Sequence, residues 1–411
     1  MPRRKNKPID LALASARLPS TFWVSVCKIA QVMAGASFLV FSPACFSATT
    51  LHFAGFALSG DASESEIAFP ITSKIMKESN ESGGSPLEQA LWESVQSASY
   101  PNLDIKRDLG SGNDASDSMA MAFVLDWENV ASEQVAGSTK LVVDLHAQVL
   151  IFDFGTRKVI GSYPIAVQLL HSVDGPSTPE LESSLVRRLY FGSAGASIFN
   201  HFAERLTTVS VKASTGNYIQ VVSVEIEDKA RKILASFSQD ESVLKTRVAD
   251  SFGKGLAENH HVSYVPYSKG SAIGSKMAAR FANGEVYQLE LPTPDYRIHL
   301  KVRGFKKVML DSNNVESAWA YGSYMNVAVN DFDDQKIYLD APFKFGAIKK
   351  VVAGSTDIDD WAAYQESMFT LIDQITVQTA KPDKAWIAKW SNGSLVLKQL
   401  EDLRRIIELS R

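Results

Sequence analysis

Cysteine is nearly absent. The 411 residues hold two, Cys27 and Cys45, both at the N-terminal end, so the rest of the chain has no disulfide. Secreted eukaryotic domains of this size ordinarily carry disulfides, and their absence tilts the reading towards a bacterial envelope. Long apolar runs are missing as well. The most apolar stretch, IAQVMAGASFLVF, covers only Ile29–Phe41, short of the roughly 20 residues a helix needs to cross about 30 Å of hydrocarbon. No transmembrane helix is expected in the mature chain.

Chemical signatures are also lacking. None of the seven histidines (His52, His146, His171, His201, His260, His261, His299) is spaced H-x-x-x-H, the pattern that sets two zinc ligands on one helical face. There is no G-x-S-x-G elbow for a nucleophilic serine and no G-x-x-x-x-G-K-[ST] phosphate loop. GSAIGSK at Gly270 has no strand before it and reads as a loop. Asp357, Asp359 and Asp360 lack the spaced ligands and turn glycine of a calcium loop. Acids in a first helical turn are favoured by the helix dipole, which accounts for them. His260-His261 closes a helix, where a cation is likewise favoured. His146 falls on the polar face of a strand with Asp144 and Gln148. The sequence therefore names no catalytic, cofactor-binding or metal-binding residue, and no cofactor is expected.

What is present begins with the leader. MPRRKNKPID opens it with Arg3, Arg4, Lys5 and Lys7, then come Arg17 and Lys28, the short apolar run, and the small-residue exit SPACFSA. A basic start, a short apolar core and a small-residue exit describe a secretory signal peptide over residues 1–48, cleaved near 44–48. A cut before Cys45 would mark a lipid anchor, but Ser42 stands where such signals have Leu, so ordinary secretion to the periplasm is the expectation. Without the leader, 36 Lys/Arg face 45 Asp/Glu. An acidic protein offers no cationic footprint for nucleic acid.

An internal repeat follows. VLIFDFGTRKVIGSYP (Val149–Pro164) returns 178 positions later as VAVNDFDDQKIYLDAP (Val327–Pro342), with Asp153/Asp331, Phe154/Phe332, Lys158/Lys336 and Pro164/Pro342 in register. The same offset runs ungapped from Ser118–Thr178 to Tyr296–Thr356, setting Trp127 on Phe305, with Leu141, Val143, Leu145, Ala147 and Val149 facing Trp319, Tyr321, Ser323, Met325 and Val327. Such period-two alternation predicts strands with one buried face. Each copy reads strand, helix, strand, hairpin, helix. The helices start at Ser85 and Glu241, with Leu87/Leu91/Val95 and Val243/Val248/Phe252 as their apolar faces. Ser177-Thr178-Pro179 and Ser355-Thr356-Asp357 begin the closing helices, and GSAGAS near Gly192 breaks the first of them.

The fold class is α+β: two tandem duplicated helix-on-sheet modules, 49–212 and 217–380, after the signal peptide. A boundary lies at KASTGN, and 381–411 form a polar linker and an amphipathic helix. Asp153/Lys158 and Asp331/Lys336 are expected to pair across their hairpin turns as scaffold. The layout resembles the small accessory modules of bacterial outer-membrane assembly systems. Two functions stay open: a non-enzymatic binding or assembly protein meeting an envelope protein or a cell-wall component, and a periplasmic hydrolase with its site between the modules.

In a Gram-negative host, the chain is expected in the periplasmic fraction with a new N-terminus near residues 44–48. N-terminal sequencing checks this; an intact leader in the cytosol overturns it.

Overall fold

The computed structural model describes residues 48–59, 66–78, 85–107, 118–135, 138–192, 195, 197–209, 211, 218–267, 276–281, 286–352, 359–391 and 395–409. The expectations for the leader, Cys45, the KASTGN boundary, Ser355–Asp357 and nearly all of the SKGSAIGSK loop lie outside these residues. Helices and mixed sheets make it an α+β protein. Among the described residues no helix is long and apolar enough to cross a membrane.

The first sheet pairs β1 (Thr49–Ser59) in parallel with β3 (Met119–Val135), which continues as an antiparallel meander through β4 (Ser138–Asp153) and β5 (Val159–Asp174). The short β2 (Leu103–Lys106) adds to the start of β1. Helices α1 (Thr72–Met76), α2 (Pro86–Gln96), α3 (Pro179–Phe191) and α4 (Ile198–Thr208) contribute to the same core. Thr178 caps α3 by accepting from Leu181 N, with Pro179 in the first turn, as its sequence predicts. The break between α3 and α4 falls at Gly192–Ser197. Phe56 stacks on Phe123 at 5.0 Å, and Phe199 meets Phe123 edge-on at 5.3 Å.

The second sheet has the same order, with β6 (Ile219–Ile226) parallel to β9 (Tyr296–Ser312) and a meander through β10 (Glu316–Asp331) and β11 (Ile337–Val352). Helices α5 (Asp228–Ser236), α6 (Glu241–His260), α7 (Asp360–Ala380) and α9 (Val396–Leu409) share its core. Trp361, Tyr364, Met368, Leu371 and Ile375 on α7, and Val396, Leu400, Leu403 and Ile407 on α9, are buried as their periodicity requires. Val243 is exposed, however, and the buried stripe of α6 begins at Leu244. The stretch read as a polar linker contains a further helix, α8 (Lys384–Trp390), capped by Asp383.

Three features depart from the sequence reading. First, the ungapped offset slips by one residue along β3 and β9. Trp127 pairs with His146 and Gly304 with Tyr324, so Trp127 corresponds to Gly304 and not to Phe305. Asp126 and Arg303 then occupy matching bulges, and Leu310 is the extra residue that restores the register. Second, the first sheet is covered on both faces. Ala120, Ala122, Val124, Leu150 and Phe152 cluster with Val265, Leu289 and Leu291 from the second half of the chain. Third, β7 (Lys276–Phe281) and β8 (Val286–Glu290) form a hairpin that joins the first sheet, pairing Ala57 with Phe281.

Two glycines let α6 come close to its neighbours. A Cβ at Gly255 lies 2.9 Å from Cβ and Cγ2 of Thr376 on α7, and one at Gly253 lies 2.5 Å from Cε2 of Tyr264. Gly255→Ala gains about 1 kcal/mol of helix propensity but overpacks a filled contact at about 1–3 kcal/mol. A net loss of stability is expected in urea unfolding, partly returned by adding Thr376→Ala; a more stable single variant overturns the packing account.

Candidate functional site

Helix α6 faces both sheets. Its apolar side (Val248, Phe252, Leu256) enters the second core, while Arg247, Asp250 and Lys254 turn to the outer face of the first sheet. Asp126 follows Ala120, Ala122 and Val124 onto that face, and the bulge beside it turns Trp127 there as well. A small chamber there is bounded by Asp126, His146, Gln148, Ser162, Asp250, Lys254 and Tyr264. Its volume is about 30 Å³, room for a water or two.

Polar groups are wired tightly around it. Gln148 Nε2 donates to Asp126 Oδ1 at 2.8 Å, and Ser162 Oγ donates to Gln148 Oε1. Ser59 also bonds the Asp126 carboxyl. Tyr264 N donates to Ser162 O at 2.9 Å, stitching the second half to β5. The guanidinium carbon of Arg247 lies 4.7 Å from the Trp127 ring centre and 4.8 Å from that of Phe369, so one cation is clasped by an aromatic from each half.

Burial governs the electrostatics. It pushes the Asp250 carboxyl up to about 7. Burial, reinforced by the charge of Asp250, raises Asp126 well above its ordinary range. His146 is held down at about 3, first by burial and then by the charges of Lys254 and Arg247. Burial lowers Lys254, and likewise Arg247, whose cation is favoured by the charge of Asp144.

A wider chamber opens beside it, sharing Pro164 and Ile165. It holds about 240 Å³ between β5 (Pro164, Ile165, Ala166), α4 (His201, Glu204, Arg205, Thr208) and Glu258 of α6. Arg205 Nε and Nη2 are buried there without an acceptor.

Of the residues weighed from sequence, His146 and Gln148 line the small chamber and His201 the wider one; the others lie elsewhere. Asp153 and Asp331 do not form the expected cross-turn ion pairs. Asp153 Oδ1 accepts from Thr156 N at 2.7 Å, and Asp331 Oδ1 from Gln335 N at 2.8 Å, while backbone bonds to Lys158 O and Lys336 O close each hairpin. Lys336 instead lies 4.6 Å over the Tyr338 ring. His260 Nε2 meets Thr379 Oγ1 at 2.8 Å between α6 and α7, and His261 caps α6 with φ 55°. His299 Nδ1 meets Ser223 Oγ at 2.8 Å, but its Nε2 is 3.7 Å from Asp334, too long for the hydrogen bond a serine relay needs. Arg297 holds that Asp334 at 3.0 Å. Asp359 caps α7 through Ala362 N, and Asp360 pairs with Lys307 at 2.7 Å. Among the described residues no three His, Cys, Asp or Glu are placed to hold a metal. The seam residues Asp126, Asp250, Lys254 and Arg205 were not singled out by sequence. The available signals were an acid interrupting the apolar run AFVLDW and two glycines inside a helical pattern, FGKG.

No family model matches the chain, and no curated protein does. Solved structures that align with part of it include a DUF330 protein from Xanthomonas campestris, at 12% identity over 41% of this chain and 86% of that one, TM-score 0.21. Rare lipoprotein B from Shewanella oneidensis aligns at 10% identity over 38% and 89%, TM-score 0.18. A minor lipoprotein from Acinetobacter baumannii aligns at 12% over 42% and 95%, TM-score 0.19. Scores this low carry no functional reading.

The seam generates a pH dependence. Below about 7 the folded chain keeps the Asp250 proton that the unfolded chain releases near 3.8, so this carboxyl costs stability as pH rises between those values. His146 acts oppositely: the unfolded chain takes its proton below 6.5 and the folded chain only near 3, so stability is lost on the acid side. Asp250→Asn is therefore expected to stabilise the protein against urea at pH 7.5, about half as much at pH 5.5, and little at pH 4. An effect that does not change with pH overturns this assignment.

Proposed function

We propose that the protein is exported to the periplasm and works there as a non-enzymatic binding or assembly component built from a duplicated module. Export rests on the basic leader, short apolar core and small-residue exit of residues 1–48. Duplication rests on the repeated hairpin sequence and on two sheets of like strand order. The observation that carries the non-enzymatic reading is how little space the polar cluster of α6 leaves. The polar cluster between the modules encloses about 30 Å³, which leaves no place for a substrate beside Asp126, Asp250 or His146.

Binding then falls to the outer surface, and one end of the second sheet offers it. Val308, Met309, Leu310, Val315 and Ile348 are all exposed around the β9–β10 hairpin. Val308 and Ile348 flank Ala320 in one cross-strand row. In the first sheet Ala131 and Ser132 stand at the positions of Val308 and Met309, Leu310 has no counterpart, and the exposed Leu170 stands at that of Ile348. Exposed apolar side chains gathered at one place mark interaction surfaces. The partner is an envelope protein or a cell-wall component.

The second reading is a hydrolase at the seam, and the buried Asp126–Asp250–His146–Lys254 cluster is what favours it. Cross-linking in native cells followed by mass spectrometry separates the two. The expected result is one stoichiometric envelope partner whose capture is lost in the Leu310→Asp/Ile348→Asp variant. Hydrolysis of envelope substrates that Asp126→Asn abolishes would overturn the proposal, as would capture indifferent to the hairpin substitutions.

A further inference from the structure

The wider chamber is lined as a small receptor is lined. Pro164, Ile165 and Ala166 line one side, and Arg205 lines another with its Nε and Nη2 buried and without an acceptor. Arg205 has a planar fork of donors suited to a carboxylate, yet neither Nε nor Nη2 finds an acceptor. Glu258 and Tyr163 are its charge neighbours. The two acids of the chamber make only long contacts: Glu204 Oε2 is 3.4 Å from His201 Nδ1, and Glu258 Oε1 is 3.9 Å from Lys254 Nζ. Both contacts are loose enough to leave the carboxylates room for a further ammonium group. Thr208 adds a hydroxyl on the same wall.

We propose that this chamber binds a small zwitterion, an amino acid or dipeptide with small apolar side chains, its carboxylate on Arg205 and its ammonium on Glu204 and Glu258. Binding then includes a rotation about the terminal torsions of Arg205, whose Nε and Nη2 are buried in the free protein, so that the ligand supplies the missing acceptor. The volume of about 240 Å³ lies below the roughly 300–1,000 Å³ of sites for larger ligands, which sets the upper size near a dipeptide. The two alanine side chains of a dipeptide match the side lined by Pro, Ile and Ala. The inference rests on the seam alone; its failure leaves the proposed outer-surface partner standing, and loss of that partner leaves this chamber intact.

Calorimetric titration of the purified protein with alanine, L-Ala-L-Ala and D-Ala-D-Ala tests it, alongside the C-terminal amide and the N-acetyl form of each dipeptide. Saturable binding of one zwitterion is expected, weakened at least tenfold by amidation, by acetylation and by Arg205→Gln. Preference for the D,D form identifies a cell-wall source, and preference for the L,L form or for alanine a general peptide or amino-acid pool. Absence of saturable binding to all three probes overturns the proposal. So does an amide that binds as well as its parent, a comparison that needs no altered protein should Arg205→Gln fail to fold.

Discussion

Everything in the molecule is arranged around one helix that has to satisfy two sheets at once. An isolated amphipathic helix buries a stripe and gives the rest to water. Helix α6 divides itself between two partners: Val248, Phe252 and Leu256 enter the second core while Arg247, Asp250 and Lys254 face the first sheet. Charged groups removed from water must find partners or change protonation state. Here both happen: Arg247 is clasped between Trp127 and Phe369, and Asp250 shifts towards its neutral form. Gly253 and Gly255 follow from the same constraint, since any side chain there meets Tyr264 or Thr376.

A buried polar seam is not a strong source of stability. Replacing such networks with apolar packing is often neutral or favourable, because desolvation cancels much of the Coulombic gain. What it supplies is discrimination between registers. The chain Ser162–Gln148–Asp126 runs across β5, β4 and β3 and is satisfied only in the observed pairing of these strands. A slip of one residue would turn Asp126 into the aromatic core on the other face of the sheet. The apolar surfaces alone, rich in Ala, Val and Leu, would tolerate such a slip more readily.

Local patterns in the sequence carried most of the elements. Period-two alternation located β3–β5 and β9–β11, and the 3.6-residue spacing of Leu87, Leu91 and Val95 located α2. Tertiary features were out of reach for physical reasons. The polar face of α6 reads as solvated, since nothing in ESVLKTRVADSFGKGLA says that a second sheet lies over it. The pairing of β1 with β7 links positions far apart in the chain, and no periodicity reports such a contact. The one-residue slip between β3 and β9 was hidden because Leu310 restores the offset a few residues later. Of the candidate site, His146, Asp144 and Gln148 were visible as a polar strand face, but their burial was not.

The β7–β8 hairpin gives the assembly a direction in time. A strand that closes the edge of the first sheet is supplied by the second half of the chain, joining Ala57 to Phe281. A chain emerging N-terminus first therefore presents an unfinished sheet, with the C-terminal end of β1 open to solvent, until residues well past 276 have followed. Loop-closure entropy makes contacts of such long range late and slow, and an open strand edge is a template for wrong partners while it lasts. The two halves are thus unequal in order of completion: the second finishes its own sheet from within, whereas the first has to wait for it.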